Sequence, residues 1–206
     1  EKVKVFRGIR PLSAADLVRG QYDGYRAEDG VASDSEVETY VALRLHLDSW
    51  RWAGVPILIR AGKRLGITAT EVLVRLERPP QQVFGEAAAS ASNYLRFRLG
   101  PDRVAIAIGA LTKQPGDAMT GVPVELSVCN DCDPPMSTYE RLIAGALKGD
   151  QTLFAREDGV EAAWAIVDPV LDLSVPVHPY RPGSWGPKQA DALAVACGGW
   201  HCPTEE

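Results

Sequence analysis

At 206 residues, with 46% apolar and 24% charged side chains, the chain has the composition of a water-soluble protein with a substantial core. Its net charge of −5 is spread along the sequence, which excludes the basic patch that a nucleic-acid partner would demand. No apolar run approaches the ~20 residues of a bilayer span, and the first ten residues lack the apolar stretch of a secretory signal. Neither nucleic acid nor membrane is therefore an expected partner, and the expected location is cytoplasmic.

Residues 1–35 hold few periodic runs and many turn formers. Ile9-Arg10-Pro11-Leu12 is expected to be extended, because a residue before proline is pushed out of the helical region. Ser13-Ala14-Ala15-Asp16 opens one helical turn, and Asp23-Gly24 and Asp29-Gly30 mark turns. The whole segment reads as an extended N-terminal arm. From Glu36 the pattern changes to strict alternation, with Val37, Thr39, Val41, Leu43, Leu45 and Leu47 on one side, which predicts a long strand over 36–48. Pro56–Arg60 predicts a second, more buried strand, and Glu71–Glu77 a third that stops at Pro79-Pro80. Tyr94–Leu99 and Arg103–Ile108 flank Gly100-Pro101-Asp102 and read as a hairpin. Val122–Val128 is a further strand, placed at an edge by Pro123.

After Pro135 the period becomes helical. Ser137 or Thr138 caps a helix with Tyr139, Leu142, Ile143 and Leu147 on one side, ending at Gly149. A second helix starts near Gly159, with Val160, Trp164, Val167 and Leu171 on one face and Pro169 as a kink or break. A third starts near Pro187 and stops at Gly198-Gly199. Strands first and helices last predict an α+β fold: a large, mostly antiparallel sheet with helices on one face, forming a single domain over 36–206 behind the arm.

The residues that carry chemistry are sparse. Four cysteines form two pairs, Cys129 with Cys132 and Cys197 with Cys202. Reduced thiols are the expectation for a cytosolic chain with an ample core. A zinc site drawn from Cys129, Cys132, Cys197, Cys202 or His201 is the alternative, although the second half lacks the usual paired spacing. A redox pair is disfavoured by Asp133-Pro134-Pro135, which follows where a helix would have to start. His46 lies on the polar side of a strand, His178 in a loop and His201 in the tail, so none suits a general base. Trp50, Trp52, Trp164 and Trp185 read as packing residues of amphipathic elements. No glycine-rich strand-to-helix turn of the kind that cradles a dinucleotide occurs.

Several separated motifs share one resemblance: KVKVFRGIRPL, VRGQYDGY, RWAGVP, IRAGKRL, NYLRFRLGPD, LTKQPG, YERL, GDQTLF, EAAW and GSWGP. Together they resemble the C-terminal domain of glucose-6-phosphate 1-dehydrogenases, in family order and nearly end to end. The resemblance implies a longer parent that oxidises glucose 6-phosphate to 6-phosphogluconolactone in the pentose phosphate pathway. In that family a separate N-terminal Rossmann domain binds NADP or NAD, and a histidine of a preceding segment takes the proton. Neither is found in this sequence, so no catalytic, cofactor-binding or metal residue is expected here, and the isolated chain is expected to be inactive. The residues implied for substrate binding are Lys63, the family's sugar-phosphate lysine, and Thr68, where many relatives carry a second basic residue. An ammonium on a flexible stem meets a phosphate as a point charge, whereas Thr68 brings a hydroxyl and no charge. A weaker affinity, a different substrate, or compensation by Arg64 are the alternatives. The extra nucleotide site of animal relatives is expected to be absent, because Trp185, Leu73 and Ala69 stand at its basic positions and Arg98 alone matches. The family also implies a homodimer or tetramer formed through the sheet. A non-catalytic sugar-phosphate-binding or regulatory paralogue is the competing reading.

Overall fold

The computed structural model describes residues 1–78, 80–81, 92–101, 103–116, 118–130 and 138–205, including only the backbone of Asn130 and Thr138. Pro79, Asp102, Cys132, Asp133-Pro134-Pro135 and Ser137 of the sequence reading lie outside them. The chain folds as two compact units, one of Glu1–Ile67 with Ser137–Cys202 and one of Thr68–Met136 with Pro203–Glu206. The class is α+β with mostly antiparallel pairing, as the sequence predicts, and the strands divide into two four-stranded sheets.

In the first unit the sheet order is β3 (Ile57–Gly62), β2 (Tyr40–Leu45), β1 (Leu17–Tyr22), β8 (Val177–Tyr180). β1 runs antiparallel to β2 and parallel to β8. Residues 1–35 are thus not a bare arm: they carry helix α1 (Lys2–Arg7) and a strand paired on both sides. The polar residues of β1 disguised it. Arg19 donates to the carbonyls of Val175 and Glu36 and to the Glu38 carboxylate, and Gln21 donates to the carbonyls of Ser35 and Val37. The same bonds explain why β2 is shorter than the alternation at 36–48 suggests. Three of the carbonyls at 35–37 take side-chain donors in place of a strand partner.

β2 is apolar at both parities, so both faces of this sheet must be covered. On one side Tyr40 and Ala42 pack with Tyr22, Tyr180, Ala190 and Leu193, the last from the short helix α4 (Asp191–Ala194). On the other, Leu45 packs with Leu12, Leu17, Ile166 and Val170 of helix α3 (Glu157–Leu171). α3 runs unbroken through Pro169, which lies in its last turn. Its buried face is Ile166 and Val170, leaving Val160, Trp164 and Leu171 exposed, a face rotated from the predicted one. Helix α2 (Thr138–Lys148) likewise turns Tyr139, Ile143 and Leu147 outward.

In the second unit the order is β4 (Thr70–Arg75), β5 (Tyr94–Gly100), β6 (Val104–Lys113), β7 (Gly121–Asn130), all antiparallel. Pro123 does fall on an edge strand. One face carries Val72, Phe97, Ile106, Ile108, Leu126 and Val128 in register across the four strands. The opposite face carries Glu71, Arg96, Arg98 and Glu125, tied into one ionic cluster.

Candidate functional site

The IRAGKRL motif forms strand β3 and the turn that leaves it. β3 ends at Gly62, opposite Tyr40. A Cβ at Gly62 would stand 2.8 Å from the Tyr40 ring, so glycine is required for that approach. Tyr40 is 2% exposed, its hydroxyl has no partner among the described residues, and burial pushes its pKa up to about 12.

Lys63 follows directly, and its peptide is held at both ends. Its N–H donates to the Thr39 carbonyl at 2.8 Å, and its carbonyl accepts the Tyr180 hydroxyl at 2.8 Å. The side chain itself is exposed. Arg64 adopts φ 52°, a left-handed conformation rare for a residue with a side chain. Its carbonyl accepts the Gly183 N–H, and its guanidinium meets Glu28 at 2.5 Å while lying 4.8 Å from the Tyr22 ring centre. The charge of Arg64 is therefore already engaged, which weighs against its standing in for a basic residue at position 68. Thr68 is exposed and opens the second unit, just ahead of β4.

Arg60, three residues before Lys63, is committed to structure. Its guanidinium lies 4.6 Å from the Trp185 ring centre and 5.3 Å from that of Trp200. It also donates to the carbonyls of Trp185 and His201 and to the Cys202 sulfur. Planar stacking with in-plane donation suits guanidinium and would not suit lysine. Trp185 thus packs as expected, whereas Trp50 is fully exposed.

The other sequence candidates scatter. His178 lies in strand β8 opposite Gly20, not in a loop. His46 follows β2, with Nε2 3.4 Å from the Asp16 carboxylate. Burial alone would raise the pKa of Asp16, but hydrogen bonds from Ser13, Arg44 and His46 outweigh it and hold that carboxyl below the usual range. Cys129 is exposed on β7, Cys197 is half-buried and Cys202 meets Arg60. Among the described residues no group of three histidine, cysteine or acidic side chains is placed to hold a metal ion. Two open clefts of about 490 and 560 Å³ lie between α1 and α3 and beside Tyr22 and Tyr25, and Lys63 lines neither. Nor do the described strands form a βαβ crevice: every pair is antiparallel except β1 with β8.

The family model described as "Glucose-6-phosphate dehydrogenase, C-terminal domain" matches residues 1–201. The chain belongs to that family. It is 44% identical over 205 residues to glucose-6-phosphate 1-dehydrogenase 1 of Mycobacterium tuberculosis, covering 98% of this chain and 43% of the relative. The glucose-6-phosphate 1-dehydrogenase of Bacillus subtilis is 37% identical, with 96% of this chain and 45% of the relative covered. A crystal structure of glucose-6-phosphate 1-dehydrogenase from Mycobacterium avium superposes with a TM-score of 0.88 at 40% identity, over 99% of this chain and 44% of that one. A glucose-6-phosphate dehydrogenase in complex with its substrate glucose-6-phosphate superposes with a TM-score of 0.80 at 30% identity, over 99% of this chain and 45% of that one. This glucose-6-phosphate dehydrogenase C-terminal domain thus spans less than half the length of the relatives it matches. Within it, Thr39 and Tyr180 are the residues that sequence reading passed over. Tyr180 stands three residues before the GSWGP motif, and Thr39 in the alternating strand, yet nothing in either segment points to Lys63.

Proposed function

We propose that this domain serves a glucose-6-phosphate dehydrogenase, whose parent oxidises glucose 6-phosphate to 6-phosphogluconolactone while reducing a nicotinamide cofactor, NADP or NAD. The match along residues 1–201 to the family's C-terminal domain carries the reading. In it Lys63 binds the sugar phosphate through its exposed ammonium, and Thr68 adds a hydroxyl. In this reading the dinucleotide and the proton-abstracting histidine belong to the upstream half of the parent. The apolar face of the second sheet joins two copies of the chain in a homodimer or a dimer-based tetramer. Leu126 and Val128 are each 75% exposed there, and Ile106 and Ile108 each 52%. A contiguous apolar surface of this kind marks an association site.

The test is steady-state kinetics on the full-length gene product. It reduces NADP or NAD when glucose 6-phosphate is added, and Lys63→Ala raises KM for the sugar phosphate by about 10- to 100-fold, as loss of a charged hydrogen bond does. A product that reduces neither cofactor refutes the activity, and an unaltered KM in Lys63→Ala refutes the role of Lys63.

A further inference from the structure

Resting on the reading of Lys63 above, we infer that Tyr180 is a positioning residue: with Thr39 it fixes the Lys63 peptide and so the direction from which the ammonium meets the sugar phosphate. Three hydrogen bonds run one way through four residues. The Tyr22 N–H donates to the Thr39 hydroxyl oxygen at 3.0 Å. That hydroxyl lies 3.0 Å from the Tyr180 oxygen, which lies 2.8 Å from the Lys63 carbonyl. The Tyr180 hydroxyl faces two carbonyls, that of Lys63 at 2.8 Å and that of Thr39 at 3.2 Å. A carbonyl only accepts, so the one Tyr180 proton goes to the nearer, Lys63, and the Thr39 hydroxyl proton points to Tyr180. The Thr39 carbonyl meanwhile takes the Lys63 N–H. Both polar groups of the Lys63 peptide are thus held by this one pair.

The holder is itself rigid. Tyr180 is 3% exposed, lies opposite Tyr22 in the β1–β8 pairing, and packs its ring 5.5 Å from that of Tyr40. Burial raises its pKa against the opposing pull of its bonds to Thr39 and Lys63, so the hydroxyl keeps its proton to donate. Three residues beyond Tyr180, Gly183 anchors the Arg64 carbonyl, so the segment after β8 grips the turn at two successive residues. A lysine side chain has a long, flexible stem, and fixing its root narrows the arc its ammonium sweeps. Positioning of this kind acts on binding without touching substrate.

The experiment uses the full-length gene product and compares wild type, Tyr180→Phe, Lys63→Ala and the double variant, all below their unfolding temperatures. Tyr180→Phe keeps the ring in the core and removes only the donor. It raises KM for glucose 6-phosphate about three- to tenfold, the worth of one net hydrogen bond, with kcat within about twofold. In the Lys63→Ala background the same change leaves KM unaltered, because the group that Tyr180 positions is gone. A merely structural Tyr180 would lower the melting temperature and the active fraction while KM stayed fixed, which overturns the inference. An undiminished KM effect in the Lys63→Ala background overturns it too. Unaltered KM in Lys63→Ala sinks the underlying reading together with this one, whereas a raised KM there and an unaltered KM in Tyr180→Phe sinks this one alone.

Discussion

The two sheets solve opposite problems with the same number of strands. The first is apolar on both sides and closes both, with Ile166 and Val170 of α3 against Leu17 and Leu45, and Ala190 and Leu193 against Tyr40 and Ala42. The second separates its residues by parity. Its charged side is closed around paired ions, and its apolar side is left open. A sheet that withholds its charges from water and offers water its valines and isoleucines is built for something other than solvent on the apolar side. The comparison shows that burial in this chain follows partner availability more than residue polarity.

The largest blow to that contrast falls on the closed face. Arg98 is 3% exposed, with Nη1 2.9 Å from a Glu71 carboxylate that is itself 2% exposed, and it also donates to the Thr204 carbonyl. Arg98→Met removes the nearer of the two guanidiniums on the buried Glu71 carboxylate, Arg96 lying at 3.5 Å, and is expected to cost about 3 kcal/mol, read as faster amide exchange along β4, β5 and β6 and a lower denaturant midpoint. Replacing Glu71 and Arg98 together by methionine recovers most of that loss, since two matched apolar residues leave less charge uncompensated. A single replacement as mild as the double one would show that the ions do not hold this face.

A smaller effect tests the first unit. Asp16 joins the turn before β1 to Arg44 of β2, at 3.1 Å, and to Ser13, at 2.6 Å. Asp16→Asn is expected to cost about 1–2 kcal/mol at neutral pH. The folded pKa of Asp16 lies below its unfolded value, so its contribution is complete above the ordinary carboxylate range and fades as pH falls through the lower folded value. Wild type and variant should therefore converge in stability under strongly acidic conditions. A gap that stays constant from pH 7 to pH 2 would remove the carboxylate from the account.

The smallest effect on folding, with the largest on assembly, belongs to the open face. Ile106→Glu is half exposed at the centre of the apolar side and should shift stability by no more than about 0.5 kcal/mol. In the full-length protein it should move the mass measured by light scattering from dimer towards monomer. An unchanged mass would assign that face to something other than a second copy.

How much of this was legible depended on whether a residue's role lay along its own strand. The alternation of Val41, Leu43 and Leu45 announced β2, and Pro123 announced an edge, because period and backbone chemistry are local. β1 was missed because Arg19 and Gln21 interrupt its apolar pattern for the sake of carbonyls on neighbouring segments. The outward turn of Tyr139, Ile143 and Leu147 was illegible for a related reason: an apolar stripe fixes a face without naming what it meets. Lys63 was singled out by resemblance of its motif, but the hydroxyl that bonds its carbonyl, that of Tyr180, lies 117 residues away, and no spacing within IRAGKRL encodes that.

The ring of Tyr40 fills the space that two glycines leave. A Cβ at Gly62 would approach it to 2.8 Å and one at Gly186, where φ is 103°, to 2.3 Å. Positions 40, 62 and 186 consequently share a single allotment of volume: a side chain at 62 is admissible only with a smaller residue at 40, while its φ keeps 186 a glycine in either case. Substitutions at 62 should therefore arrive together with substitutions at 40, linking β3 and β2 in their permitted histories.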